Sequence, residues 1–216
     1  MGTIYGQPPT AIAEFDLEWT ELMHYLYLPV VVDGEFAMPR RLEFARDLVG
    51  TTLVTEQFEY GNHWRYVYVT AHRGFATPGN PLNRPGWHSD GFGTPDINYV
   101  WTDRFPTLFA EQPFTDISTD HVRSAQQFEE QIDPACIRTY PDRLLQRLDS
   151  SVIHAAPEIP APGGLRSFLK VSFSNERYNL VGNSHNHDLD YTWPMYSRED
   201  IRNDPARAES DSVKDA

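Results

Sequence analysis

The residues best suited to chemistry are a histidine and an aspartate two positions apart, His88 and Asp90. In an extended segment these two side chains point to the same side, so both can reach one ion. They supply two of the three ligands of a mononuclear iron facial triad, which leaves one face of an octahedron open. A third ligand is then required. His154, at the end of the strand-like run Asp149–His154, is the candidate.

A basic residue follows at a suggestive distance, because Arg166 opens the next strand-like run after His154. The ordered set His88-x-Asp90, a long gap, His154 and then a basic residue resembles the iron(II)/2-oxoglutarate-dependent dioxygenases. The resemblance covers residues 66–186 and depends on four or five residues in a strand context. It implies a mainly β (α+β) fold, a double-stranded β-helix or jelly roll with flanking helices.

The same resemblance implies the chemistry of the site. His88, Asp90 and His154 would hold Fe(II), with 2-oxoglutarate and O2 as co-substrates. In that family, decarboxylation of 2-oxoglutarate gives succinate and CO2 while a substrate C–H bond is oxidised. Hydroxylation is the usual outcome, and desaturation or ring closure can follow the same hydrogen abstraction. The implied activity is that of an oxidoreductase acting on a small-molecule or amino-acid-like substrate.

Two residues compete to bind the far carboxylate of 2-oxoglutarate. Arg166 is the first choice because of its distance after His154, and a guanidinium binds a carboxylate bidentately. Lys170 is the rival, since the family's basic-x-Ser/Thr pattern is matched by Lys170-x-Ser172. Arg166, Lys170 and Ser172 share one face of the predicted strand, so the sequence leaves this choice open.

Several other residues are weaker candidates. Tyr66 and Tyr99 lie on predicted strands and could add hydroxyls to a cofactor pocket, although core packing is the commoner role of such aromatics. His72, at the end of a strand, is a spare ligand or a substrate contact. We interpret His185 and His187 as surface histidines of a loop, despite their ligand-like spacing.

The composition predicts one β-rich domain without nucleic-acid or membrane partners. A chain of 216 residues with 17 prolines, 13 glycines and 13% aromatic residues favours strands joined by turns. The net charge of −13 repels phosphate backbones and anionic membranes, so nucleic acid is disfavoured. No run of about 18 apolar residues is present to span a bilayer, and the first residues lack a secretory pattern.

The single cysteine, Cys136, cannot form an intramolecular disulfide, which indicates a reducing compartment and a cytoplasmic location. It has no neighbouring histidine or basic motif, so we expect an inert thiol. The sequence leaves the oligomeric state open.

Periodicity predicts three helices and a series of strands. The helices cover residues 16–26, 41–49 and 119–132. Gly50 closes the second helix, and Asp120 is the N-cap of the third. The strands cover residues 30–32, 51–60, 64–70, 96–101, 107–110, 149–154, 165–174 and 178–181, with the second and third joined as a hairpin.

Two connections bear on the site. The polar, proline-rich loop 73–85 leads directly into the histidine–aspartate pair, and such loops often cover sites. A hairpin with its turn near Pro162 would place His154 opposite Leu169 or Lys170. We expect one oxygenase domain over residues 1–197, with an N-terminal helical segment, and a flexible acidic tail over 198–216, which has almost no apolar residues.

Two other functions are consistent with the same residues. A cupin-like metalloenzyme would use the three ligands without 2-oxoglutarate. A non-catalytic jelly-roll binding module would keep the histidines for structural hydrogen bonds.

Overall fold

Two antiparallel β-sheets form the framework of the protein in a computed structural model that describes residues 3–198. The strands are β1 (Thr10–Glu14), β2 (Met23–Val32), β3 (Glu35–Phe36), β4 (Tyr66–Ala76), β5 (Ile97–Thr102), β6 (Leu108–Ala110), β7 (Ile137–Arg138), β8 (Leu144–Leu148), β9 (His154–Ala155) and β10 (Gly164–Ser174). The α-helices are α1 (Arg46–Val54) and α2 (His121–Gln131). A 3-10 helix (Arg40–Ala45) precedes α1, a π-helical turn (Thr55–Glu59) follows it, and a 3-10 turn (Pro134–Cys136) precedes β7.

The larger sheet has seven strands in the order β1-β8-β5-β10-β4-β2-β3, and the smaller has the order β7-β6-β9. The long strand β10 lies at the centre of the larger sheet and pairs with β4 on one side and β5 on the other. An isolated bridge between His88 and His154 adds one more extended segment beside β9. The prediction of a mainly β fold is confirmed.

Alternation along β10 separates two environments. Leu169, Val171 and Phe173 point into the main hydrophobic core, which α1 and the preceding 3-10 helix cover. Phe168 points to the other face, where it packs with Phe109 of β6 in a separate cluster. The smaller sheet therefore packs against the face of the larger one that carries the polar residues of β10.

Several predicted elements are confirmed. Strands β5, β6 and β10 lie where periodicity predicts them. Helix α2 also forms, and the Asp120 carboxylate accepts a hydrogen bond from the backbone N–H of Arg123 at 2.8 Å, as an N-cap does. Within residues 3–198, neither this helix nor α1 has the length and apolar character needed to cross a lipid bilayer.

The N-terminal helix predicted over 16–26 is wrong, because the chain pairs with β4 from Met23 onward along β2. The ladder is interrupted between Tyr25 and Leu28 and again after Pro29. Such irregularities let a proline lie within a strand that would otherwise need its missing N–H.

The hairpin predicted from residue 51 is also wrong, because α1 continues through Gly50 and passes into the π-helical turn. The threonines of α1 form hydrogen bonds within the helix. The Thr51 hydroxyl donates to the Asp47 carbonyl at 2.9 Å, and the Thr52 hydroxyl donates to the Val49 carbonyl at 2.8 Å.

The strand that carries His154 is shorter than predicted and pairs differently. It comprises only His154–Ala155 and pairs with β6 and His88, so the predicted hairpin with β10 is wrong. Residues 178–181 contribute a bridge at Leu180 instead of a strand. The predicted tail lies outside the described residues from position 199 onward.

Candidate metal centre

His88, Asp90 and His154 lie together, and their ligand atoms all fall within 4.8 Å of one another. Nε2 of His88 lies 4.0 Å from Oδ1 of Asp90, and Nε2 of His154 lies 3.6 Å from Oδ2. The three side chains are 13%, 20% and 8% exposed, respectively. Two imidazoles and one carboxylate in this arrangement could hold one divalent ion such as Fe(II).

The backbone brings the two histidines together. The N–H of His88 donates to the His154 carbonyl at 3.0 Å, and the N–H of His154 donates to the His88 carbonyl at 2.9 Å. The hydroxyl of Ser89 donates to the Ser150 carbonyl at 2.7 Å, which fixes the segment between the first two ligands. Asp90 follows at the start of a turn, and its carboxylate lies on the same side as the His88 ring.

His88 is held in the tautomer that a metal ligand needs. Its Nδ1 lies 2.8 Å from the Gly86 carbonyl, which can only accept, so Nδ1 carries the proton. Burial, with the nearby His154, lowers the pKa of His88 to about 4. The ring is therefore neutral at pH 7, and Nε2 keeps the lone pair that a metal ion would need.

Asp90 forms a buried ion pair with Lys170, whose Nζ lies 3.0 Å from Oδ2. Burial alone would raise the pKa of Asp90, but Lys170 and the two histidines outweigh it, so the pKa lies well below its usual range. Burial lowers the pKa of Lys170, but Asp90 and Tyr27 raise it by more, so the amine stays charged. Lys170 thus neutralises the ligand carboxylate.

Arg166 is fully buried with an incomplete set of hydrogen-bond partners. Nε donates to the carbonyls of Arg104 and Phe105 at 3.2 and 3.1 Å, while Nη1 donates to the Asn83 side chain and the Pro81 carbonyl. Nη2 has no hydrogen-bond partner within residues 3–198. Burial lowers the pKa of Arg166 only to about 10, so a charged guanidinium presents a free donor inside the protein.

Two of the predicted cofactor residues do not come to the metal ligands. Tyr99 points into the main core, where its hydroxyl donates to the Glu56 carboxylate at 2.8 Å. Tyr66 lies at the start of β4, opposite Ser174, and its ring contacts Trp193. Side chains alternate along β5, so the register of strand pairing determines which face of the sheet Tyr99 occupies. That register cannot be read from the sequence.

Ser172, the third predicted cofactor residue, does share a face with Lys170, and its hydroxyl donates to the Asn98 side chain at 2.6 Å. His72 is buried on β4, where its ring stacks on Phe168 at 5.0 Å and its Nε2 has no partner among the described residues. Burial lowers the pKa of His72 to about 3. It lies outside the ligand cluster, so a role as spare ligand is not supported.

Sequence reasoning missed Tyr27, whose hydroxyl lies 3.3 Å from Nζ of Lys170. No motif marks this residue, because the irregular stretch of β2 directs its side chain. The rings of His185 and His187 are 4.7 Å apart, and no third ligand joins them within the described chain. Cys136 is a free, partly exposed thiol.

No protein-family model matches the chain, and a search of curated proteins finds no match either.

Proposed function

We propose that the protein is an Fe(II)/2-oxoglutarate-dependent oxygenase that oxidises a small-molecule substrate with release of succinate and CO2. The proposal depends mainly on Arg166, a buried guanidinium with a free donor. Arg166 lies on the same face of β10 as Lys170, which contacts the ligand cluster through Asp90. A metal cluster alone has many uses. A buried arginine with an unpaired donor, on the strand face that also carries Lys170, is a group that could bind the far carboxylate of a dicarboxylate co-substrate.

The order of the strands supports this assignment. Four neighbours in the larger sheet, β8-β5-β10-β4, face a second layer made of β7, β6, β9 and the segment at His88. Two facing antiparallel sheets of four strands each are the plan of a jelly roll, and a double-stranded β-helix is the form that the oxygenases use. Two ligands on adjacent strands of the second layer fit that form.

The chain's own groups have distinct tasks in this proposal. The imidazoles of His88 and His154 and the carboxylate of Asp90 would hold Fe(II), which supplies O2 activation and oxidative decarboxylation of 2-oxoglutarate when bound. Arg166 would bind the far carboxylate through Nη2, replacing an unsatisfied donor by a charge-assisted hydrogen bond. The walls around Arg166 exclude water, which strengthens that contact.

Anaerobic titration with Fe(II) and 2-oxoglutarate tests the proposal. The two together should give a weak visible charge-transfer absorption, and aerobic incubation should give succinate. His88→Ala should abolish both signals, while the exposed histidine variant His63→Ala should keep them. Arg166→Ala should retain Fe(II) binding and weaken 2-oxoglutarate binding by about 1.5–3 kcal/mol, the contribution of a hydrogen bond to a charged group.

Arg41→Ala is the matched control for Arg166→Ala, because the Arg41 side chain is 70% exposed. Wild-type protein that binds neither iron nor 2-oxoglutarate would refute the assignment. Iron binding without succinate formation would instead support a cupin-like metalloenzyme.

The ion pair between Lys170 and Asp90 favours a second candidate, a non-catalytic binding module. It neutralises the buried carboxylate without a metal, as a purely structural pair would. Metal analysis with thermal unfolding separates the candidates, because an ion that binds only the folded state raises its stability and a chelator reverses the effect. If the pair of Lys170 and Asp90 has only a structural role, neither the metal nor the chelator should change the thermal stability.

A further inference from the structure

Four aromatic side chains line a cleft of about 130 Å³ beside the metal centre: Tyr27, Tyr178, Tyr191 and Trp193. The remaining walls come from Pro29 and from residues of the segment that follows β10, among them His185. No Lys, Arg, Asp or Glu side chain lines the cleft in the described part of the chain. The lining therefore offers mainly aromatic surfaces and no carboxylate, ammonium or guanidinium group.

Tyr27 joins this aromatic cleft to the metal centre. Its hydroxyl lies 3.3 Å from Nζ of Lys170, which in turn lies 3.0 Å from Asp90. Tyr178 makes a second connection, since its hydroxyl donates to Asp96 at 2.7 Å. Asp96 packs against the turn at Gly91, where an added Cβ would lie 3.1 Å from it. One side of the cleft thus reaches Asp90 through Lys170, and the other contacts a residue that packs on the turn next to Asp90.

The conformation of Tyr27 is strained. Its φ is +47°, a left-handed value that bulky residues rarely adopt, and it falls within the irregular stretch of β2. Its backbone N–H donates to the Thr70 hydroxyl at 3.1 Å, which fixes the distortion. Bulges redirect side chains next to active sites, and strain of this kind concentrates at functional positions.

The rings are already ordered. Tyr178 stacks on Tyr68 with a centroid distance of 4.3 Å and an interplanar angle of 8°, and its other contact is the edge of Tyr27 at 5.1 Å. Trp193 lies 4.4 Å from Tyr191 and meets the edge of Tyr66 at 5.5 Å. A ligand that stacks here would not have to order these side chains, so binding loses little conformational entropy.

The strand register separates this cleft from the arginine. Along β10 and β4, Arg166 lies opposite Gly74, Lys170 lies opposite Thr70, and Tyr68 lies opposite Ser172. Tyr68 supports the cleft, so the cleft and Arg166 lie on opposite sides of Lys170. A co-substrate held by Arg166 and a second ligand in the cleft would reach the metal centre from different directions.

We infer that the aromatic cleft is the substrate subsite of the oxygenase and takes an uncharged, planar group the size of one ring. The inference rests on the proposed function. The volume of the cleft, about 130 Å³, is close to that of an engineered cavity of about 150 Å³ that binds benzene. A ring is favoured over an alkylammonium because the Lys170 ammonium already lies 5.0 Å from the centroid of Tyr27 and would repel a second cation.

Titration with p-cresol, followed by ligand-observed NMR on metal-free full-length protein, tests the cleft directly. The ring should bind, and cyclohexanol and tetramethylammonium should bind at least about tenfold more weakly. Trp193→Ala should weaken p-cresol binding about tenfold or more, because the substitution removes one of the aromatic walls of the cleft. Phe58→Ala, at a residue 74% exposed and outside the cleft, is the matched control.

Adding Mn(II) tests the position of the cleft. A paramagnetic ion at the three ligands should broaden the p-cresol resonances, and His88→Ala should remove the broadening without changing p-cresol affinity. Equal binding of cyclohexanol, preference for tetramethylammonium, or an unchanged affinity in Trp193→Ala would overturn the inference. Binding of Mn(II) and p-cresol without broadening would overturn it as well. Ring binding by a protein that takes up no metal would refute the oxygenase and leave a ring-binding site.

Discussion

Replacing Lys170 with methionine removes the ammonium that lies 3.0 Å from the Asp90 carboxylate and leaves that carboxylate without its cation. Breaking a buried ion pair from one side costs about 3–5 kcal/mol. Asp90 is 20% exposed, so part of its charge can be solvated, and we expect a loss of about 3 kcal/mol in the metal-free protein. The variant Lys170→Arg keeps the charge and serves as its control.

Divalent metal should reverse this loss. In the wild type a metal ion would compete with Lys170 for Asp90, whereas in Lys170→Met the ion would take the place of the ammonium as the positive charge that contacts Asp90. Saturation at 100 times Kd stabilises a folded protein by about 2.7 kcal/mol, which would restore most of the lost stability. The apparent metal affinity of the variant should rise about tenfold or more, since each tenfold corresponds to about 1.4 kcal/mol.

Urea unfolding with and without Mn(II), together with isothermal titration of the ion, measures both quantities. If Lys170→Met were as stable as the wild type without metal, the carboxylate would not depend on the ammonium. A lower metal affinity in the variant would show that lysine supports the metal site instead of competing with the ion. Either result would refute the reasoning.

Further predictions concern the scaffold. Glu56→Gln should lower the free energy of unfolding at pH 7 by about 3 kcal/mol, because Arg147, 2.7 Å away, loses its buried partner. Burial raises the pKa of Glu56, but hydrogen bonds from Arg147, Asn62 and Tyr99 lower it below the usual range. The free energy of unfolding of the wild type should therefore fall as pH drops below about 4.3, and Glu56→Gln should lack the part of this fall that comes from Glu56. Tyr99→Phe should cost about 1–2 kcal/mol in urea unfolding and leave metal affinity unchanged; a large loss of metal affinity would contradict its place in the core. Asp120→Ala should cost about 1 kcal/mol by loss of the N-cap, and an unchanged unfolding midpoint would count against that cap. Gly163→Ala should greatly reduce soluble folded protein, assayed by circular dichroism, since its Cβ would lie 2.2 Å from the Ala76 carbonyl and φ is +90°.

The sequence allowed the meeting of His88, Asp90 and His154 to be predicted because short-range geometry determines part of it. His88 and Asp90 share a side through alternation alone, and α2 carries its own start signal at Asp120. The position of His154 beside them was also expected, although through the wrong strand pairing. Its true partners, β6 and His88, are distant in sequence, and no local pattern encodes that register.

Other parts of the site depend on information that a single sequence does not carry. Tyr27 contacts Lys170 only because a break in the β2 ladder turns it there. From the sequence, Lys170 was a candidate to bind the dicarboxylate. In the structure its ammonium pairs with Asp90 instead. The free donor of Arg166 is a property of packing, since it depends on which carbonyls the loops bring within reach.

The pair of backbone hydrogen bonds between His88 and His154 ties any ion held there to completion of the fold. Segments far apart in sequence can meet only after the loop between them has closed. A chain in which these two segments have not met lacks the three-residue cluster, so any affinity of that cluster for a divalent ion would arise only once this contact has formed.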